Sequence, residues 1–263
     1  MLKCCSLYSG STGNSFFVQT ESTKMLVDCG VTCKKLENAL FSLGITLNEI
    51  DGVFITHEHT DHTKSVGMLA LKYNIPVYAN LETWNALLLA NPKLSNVKEN
   101  TFKNDELFEF RDLKILPFST PHDAANPCGF NIFKDGKKIS IATDLGHISN
   151  NVVKHLENSV FLMIEANYDS NVLKYSPYPY MLKRRIAGTN GHLENCVTGQ
   201  TIAHLIDSGL KNALLIHLSK ENNFPELAYK TVLEELQKEN HLENSISLNV
   251  APRDYPSNFF QII

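Results

Sequence analysis

The sequence predicts a mixed α/β fold, read as one domain over residues 1–263, and three observations carry that reading. Short β-rich apolar runs alternate with helical patterns along the chain. Asp135-Gly136 sits between two alternating runs, a strong hairpin signal because both central residues of a type I′ turn need positive φ. The 263 residues, 43% hydrophobic and 20% charged, suffice to bury a core without metal or disulfide staples.

The first strands are LKCCSLY (2–8), SFFVQT (15–20) and KMLVD (24–28), apolar runs separated by turn-forming residues. A helical pattern over 32–43 follows, then GVFIT (52–56), a continuous apolar run of buried-strand length. Helical patterns recur at 64–73, 81–90, 148–157, 195–209 and 225–239. Between them lie the strands PVYA (76–79), LKILPF (113–118), FNIFKDGKKISIATD (130–144), VFLMIEAN (160–167) and ALLIHL (213–218). Hairpins near both chain ends speak against a purely parallel sheet. No Pro- or Ser-rich linker and no internal repeat suggests a second domain.

MLKCCSLYSGSTGN has no apolar stretch of signal-peptide length, and no later run approaches the ~18–20 residues of a membrane span, so a cytoplasmic protein with no membrane partner is expected. The six cysteines form no C-x-x-C pair and are expected to be reduced, buried thiols. A net charge of −4 and a pI near 6.2 supply no global pull toward nucleic acid, so any such partner must be held by a local patch.

Directly after GVFIT comes HEHTDH, which places His57, His59, Asp61 and His62 in the loop leaving a buried strand. Imidazole and carboxylate without thiolate suit zinc first, and manganese or iron as well. Glu58 has the right chemistry, but the alternation that turns His57 and His59 inward turns it away. One loop does not complete a hydrolytic site, so further ligands are expected at other strand ends. His122 in STPHD, Asp144 in ATDLG and His217 in ALLIHLS lie at such ends. Each alone could be a satisfied polar group, whereas their shared position points to metal binding. Two cations about 3.5–4 Å apart would activate a water shared between them and clamp the attacked group's oxygens. Asp61 is the candidate to orient that water. Asp28, ending KMLVD, either accepts a hydrogen bond from the second nitrogen of a ligand histidine or is a plain strand-end turn residue.

These residues resemble the metallo-β-lactamase superfamily, whose H-x-H-x-D-H signature is matched by His57, His59, Asp61 and His62, with His122, Asp144 and His217 following in the family's order. The resemblance implies a four-layer αββα sandwich of two mixed sheets flanked by helices, with two divalent metals at one sheet edge. It implies that His57, His59 and His122 hold one metal and Asp61, His62 and His217 the other, with Asp144 bridging.

The superfamily cleaves thioesters, lactams, phosphodiesters and sulfates, so the fold alone decides little. The 72 residues between Asp144 and His217 are too few for the large inserted cap of the RNA-maturation nucleases. The turn SGSTGN, the EANYD segment (Glu165 to Asp169) and PYPYMLKRRIAGTNGHLEN resemble the branch called YycJ, WalJ or VicX. That resemblance implies a cytoplasmic 5′-exonuclease acting on DNA, encoded beside a cell-wall two-component system. The branch often carries His where this chain has Tyr168, which puts a proton-transfer role there in question.

Phosphodiester cleavage also has support in the residues. Lys183, Arg184 and Arg185 could grip phosphates, with Asn14 and Asn167 as further substrate contacts. His192, after Gly191, could donate a proton to the leaving oxygen. Tyr175, Tyr178 and Tyr180, interleaved with prolines, could stack on bases or simply pack. The alternatives are a small-molecule hydrolase of a cyclic phosphodiester or thioester, and a metal-binding regulatory protein of two-component signalling.

Overall fold

The computed structural model describes residues 1–241 and 245–262. In chain order the elements begin with β1 (Leu2–Tyr8), β2 (Ser15–Gln19), β3 (Lys24–Val27), α1 (Cys33–Ser42), β4 (Gly52–Phe54), α2 (Thr60–Thr63) and α3 (Val66–Lys72). There follow β5 (Val77–Asn80), α4 (Leu81–Ala90), β6 (Asn100–Phe102), β7 (Phe108–Phe110), β8 (Leu113–Ser119), β9 (Cys128–Lys134) and β10 (Lys137–Ala142). The chain continues through α5 (Asn150–Leu156), β11 (Phe161–Glu165), α6 (Ser170–Tyr175), α7 (Tyr180–Ile186) and α8 (Asn195–Asp207). It ends with β12 (Asn212–Ile216), α9 (Pro225–Lys238), β13 (Ser247–Val250) and β14 (Phe260–Ile262).

Among the described residues the strands form two seven-stranded sheets, ordered β14-β1-β2-β3-β4-β5-β6 and β13-β12-β11-β10-β9-β8-β7. Both are mixed. In the first, β14, β1, β2 and β3 pair antiparallel and β3 to β6 parallel. In the second, β9 meets β10 antiparallel and β10 to β13 run parallel. The Asp135-Gly136 turn forms as the sequence predicts, with φ of 50° and 76° closing Lys134 against Lys137. The mixed α/β class is therefore the one observed.

Within the span read as one domain, the chain forms two compact units: Met1–Pro117 with Ala124–Cys128 and Pro252–Ile263, and Phe118–Asp123 with Gly129–Ala251. Each has its own apolar cluster. In the first, Leu26 and Val53 of the sheet pack with Leu36 and Leu40 of α1, Leu69 of α3 and Trp84 of α4. In the second, Leu162, Ile164 and Leu215 pack with Leu156 of α5, Ile202 of α8 and Val232 and Leu236 of α9. The buried parallel strands β11 and β12 read as continuous apolar runs because both faces are covered.

Helix starts follow local side-chain chemistry. Thr32, Asn80, Ser149 and Asp169 accept hydrogen bonds from the first-turn amides of α1, α4, α5 and α6, and Pro225 opens α9. Two departures matter for the site. The helix expected over 64–73 is preceded by the separate turn α2, which takes up Asp61 and His62, so only part of HEHTDH is loop. The Pro- and Tyr-rich segment, where the sequence shows no helical pattern, forms two short helices, α6 and α7, with Lys183, Arg184 and Arg185 in the last turn of α7. Cations there complement the helix dipole. Among the described residues, no helix is long and apolar enough to cross a membrane.

Candidate active site

In the first unit the chain leaves β4 at Phe54 and reaches His57 through Ile55 and Thr56, all buried. His57 and His62 are buried, and their ring centroids lie 4.2 Å apart, while those of His57 and His59 lie 4.6 Å apart. Asp61 Oδ2 stands 3.6 Å from His62 Nε2. Three imidazoles and a carboxylate thus cluster within one turn of chain.

A backbone cradle fixes that turn. Asn14 N donates to Asp61 O and Cys29 N to His62 O, both at 2.8 Å. Gly30 makes this approach feasible, since a Cβ there would lie 1.6 Å from Asp61 O. Asn14, expected at the substrate, is fully buried instead: Oδ1 accepts from Gly10 N, and Nδ2 lies 3.1 Å from His62 Nε2.

Asp28, also fully buried, accepts from Thr56 N and Thr56 Oγ1, each at 2.9 Å. Its Oδ2 lies 2.7 Å from His62 Nδ1. A carboxylate can only accept here, so Nδ1–H donates and Nε2 is the basic nitrogen of His62. Burial raises the Asp28 carboxyl above its ordinary range, opposed by His62 and Thr56. Glu58 is turned away from the cluster, its Oε1 accepting from Ala125 N.

In the second unit the groups come from separate chain segments. Asp144 follows β10, His217 follows β12, Glu165 ends β11, His122 lies beyond β8, and His192 precedes α8. One ligand atom each from Asp144, Glu165, His192 and His217 lies within 4.8 Å of the others, a group able to hold a metal ion. Asp144 Oδ2 sits 2.9 Å from His217 Nδ1 and accepts from Thr143 Oγ1 at 2.7 Å. Its Oδ1 is 3.5 Å from His122 Nε2. His122 Nδ1–H donates to Gly191 O at 2.8 Å, which makes Nε2 its basic nitrogen. Burial pushes the His122 imidazole below its ordinary value, with the Asp144 carboxylate acting against that shift. Gly191 is required because a Cβ there would lie 2.2 Å from the Arg185 and Ile186 carbonyls.

Glu165, to which the sequence assigned no role, is the further residue the structure brings to this group. It is fully buried, accepts from Leu145 N at 2.6 Å through Oε2, and holds His192 Nδ1 at 2.8 Å through Oε1. The available signal was a carboxylate inside an apolar run, which burial makes costly unless it is partnered. Thr56 and Thr143 were missed for lack of any motif.

Asp28, Asp144 and His217 share a conformation. Their φ values of 61°, 57° and 54° lie in the left-handed region, which costs a non-glycine residue about 1–2 kcal/mol. Strain of this kind at the ends of three strands marks places where the backbone is bent to aim a side chain.

The remaining expected residues lie as follows. Asn167 is buried and donates to His217 O at 2.8 Å, bracing that strand end. Arg185 forms a bidentate pair with Asp123, Nε to Oδ2 at 2.6 Å and Nη2 to Oδ1 at 3.2 Å. Lys183 donates to Lys174 O at 2.7 Å. Tyr168 is buried against Leu173 and Ile186, and burial pushes its phenol up to about 12, so it stays protonated at neutral pH.

The donor set fits divalent cations. Two buried carboxylates converge beside imidazoles in the second unit, an arrangement that requires positive charge to offset their desolvation. Imidazole and carboxylate are also the ligand types such ions take.

Comparison with known proteins agrees. Residues 23–218 match the family described as the beta-lactamase superfamily domain. The chain belongs to that superfamily. Within the superfamily, Exodeoxyribonuclease WalJ of Streptococcus pneumoniae is 37% identical over 232 residues, 88% of this chain and 86% of the relative. Exodeoxyribonuclease YycJ of Bacillus anthracis is 34% identical over 232 residues, 88% of each chain. Among solved structures, the metallo-β-lactamase fold protein YhfI from Bacillus subtilis aligns over 97% of this chain and 98% of its own, with a TM-score of 0.72 and 18% identity. That likeness establishes the superfamily's fold.

Proposed function

We propose that this chain is a metal-dependent exodeoxyribonuclease, a phosphodiesterase that removes nucleotides from DNA. The observation that carries this reading is the Glu165–His192 pair beside Asp144 in a superfamily hydrolase, with His192 Nδ1 at 2.8 Å from Glu165 and 3.7 Å from Asp144. The names of relatives that match 88% of the chain support DNA as substrate. Polarity from the 5′ end, implied by the family resemblance, and a cytoplasmic location, expected from the sequence, belong to the same proposal.

His57, His59, Asp61, His62, His122, Asp144 and His217 are the residues we assign to hold two divalent ions, zinc first and manganese or iron as alternatives. When bound, such ions supply Lewis acidity and lower the pKa of water toward neutrality. The chain does the rest. Asp28 keeps the His62 ring in one tautomer, and Thr143 and Asn167 brace Asp144 and the His217 strand end. Glu165 accepts from Nδ1–H of His192 and so orients the ring, leaving Nε2 as the nitrogen that passes a proton to the leaving oxygen. Lys183 and Arg184, both in the last turn of α7, are assigned to backbone phosphates. Arg185, paired with Asp123, instead steadies the residue after His122.

The test is cleavage of 5′-labelled DNA by the purified protein with zinc or manganese. Nucleotide release that stops in EDTA and in Asp61→Ala is expected. Rapid turnover of bis-p-nitrophenyl phosphate or a thioester without DNA cleavage would replace this reading with a small-molecule hydrolase, and no turnover of either with a regulatory protein.

A further inference from the structure

The segment between Asp169 and Glu194 is set apart by charge and by exposure. It contains Lys174, Lys183, Arg184 and Arg185 and no acidic residue, in a chain of net charge −4. Its tyrosines divide. Tyr178 packs with Leu182 against the cluster of Tyr168, Leu173 and Ile186. Tyr175 and Tyr180 do not: they are 79% and 71% exposed, and the adjacent Met181 is 70% exposed. Packing therefore accounts for one ring of three.

Each exposed ring carries its own cation. Lys174 Nζ lies 5.3 Å from the Tyr175 ring centroid, and Arg184 Cζ lies 5.9 Å from that of Tyr180. The support is held in place, since Lys183 on α7 donates to Lys174 O on α6 and Pro177 and Pro179 stiffen the connection. Exposed tyrosine rings are amphipathic and keep their faces available to a ligand. A ring face with an adjacent positive charge is the element that binds a nucleobase and its phosphate together.

We propose that Tyr175 and Tyr180, with Lys174 and Arg184, form a stacking platform for unpaired nucleotides, so that the DNA substrate is engaged through a single-stranded segment. The inference deepens the nuclease reading and rests on it for the identity of the polymer. Charge complementarity points to a polyanion. Exposed aromatic faces narrow it to one with accessible bases, because duplex DNA presents phosphates and base edges but hides its base faces except at its ends.

The experiment uses the full-length protein and fluorescein-labelled, phosphorothioate-linked oligothymidylate, with a blunt duplex of equal length as comparison and fluorescence anisotropy as readout. The double variant Tyr175→Ala/Tyr180→Ala is expected to bind the single strand about tenfold or more weakly, in line with the worth of base–aromatic stacking, and the duplex within about twofold of wild type. Tyr175→Phe/Tyr180→Phe, which keeps the ring faces, should bind like wild type. Turnover of bis-p-nitrophenyl phosphate should be unchanged in both, which excludes damage to the catalytic residues. Equal binding of the single strand by the alanine variant and wild type would overturn the platform. So would parallel losses on strand and duplex, a phenylalanine variant as weak as the alanine one, or retention on phosphatidylglycerol vesicles in place of oligonucleotide. If wild type binds the strand through its tyrosines yet cleaves no DNA, the nuclease reading fails and the platform stands. DNA cleavage with no tyrosine dependence of binding gives the reverse.

Discussion

The two clusters of candidate ligands are built by opposite means. In the first unit, four groups within six residues are placed by backbone: the carbonyls of Asp61 and His62 seat on the amides of Asn14 and Cys29, and Gly30 leaves room for them. In the second unit, five groups from five chain segments are placed by side chains: Asp144 ties Thr143 and His217, and Glu165 ties His192 to the amide of Leu145. A contiguous cluster is thus vulnerable to a change in main-chain space. A dispersed one is vulnerable to the loss of one hydrogen-bonding atom.

Gly30→Ala attacks the backbone cradle and should have the largest effect. The new Cβ would lie 1.6 Å from Asp61 O, so α2 must shift. Overpacking typically costs about 1–3 kcal/mol, here at the upper end because the clash is with backbone, and thermal melts should show the loss alongside undetectable DNA cleavage. Normal stability and activity would mean that the cradle does not position the cluster.

In the second unit, His192→Ala should lower kcat for DNA by roughly 10²–10⁴-fold, the range of a lost general acid. Glu165→Gln should follow it by a smaller factor, about 10–100-fold in kcat with KM for DNA unchanged. A loss confined to KM would reduce Glu165 to a packing role.

Asp28→Asn returns to the first unit but removes a side-chain tie of the second unit's kind. Because Asp28 fixes the His62 tautomer, metal affinity should fall about 10–100-fold with the fold intact, as measured by competition with a chelator. A fall as severe as that of Gly30→Ala would blur the distinction between the two building modes.

The smallest effect lies outside both clusters. Lys24, then the Thr46 amide and hydroxyl, hold the exposed Glu49 carboxyl down at about 2 from an ordinary 4.5. A depressed carboxylate stabilises the fold above its unfolded pKa and loses that contribution as pH falls through the folded value. Glu49→Gln should therefore lower Tm slightly at pH 7, with the gap from wild type closing between pH 4.5 and about 2. A gap independent of pH would assign the effect to something other than charge.

The same contrast explains what could be read from the sequence. HEHTDH was legible because its spacing and its buried strand lie in one stretch, and Asp28, His122, Asp144 and His217 because each ends an apolar run. Glu165 also ends such a run, but the strand pattern continued through it to Asn167 and absorbed its charge. Asn14 and Asn167 were recognised as polar residues of interest, yet sequence carries no sign that their amides turn inward onto backbone. Four strands, β6, β7, β13 and β14, are only three or four residues long and mix polar with apolar residues, without the apolar runs that mark the equally short β3 and β4. Helices α6 and α7 were hidden by Pro177 and Pro179, although Pro177 lies beyond the end of α6 and Pro179 just before α7 begins, both places where proline is tolerated.

The central proposal is that the residues assigned above hold divalent ions on which DNA cleavage depends. Its most direct test is metal content per chain, measured by mass spectrometry of the purified protein, for wild type, Asp61→Ala and Asp144→Ala. The account predicts about two divalent ions in wild type and fewer in both variants, each with at least a thousandfold loss of DNA cleavage. Full metal content in either variant, or cleavage that survives the loss of one cluster, would contradict it.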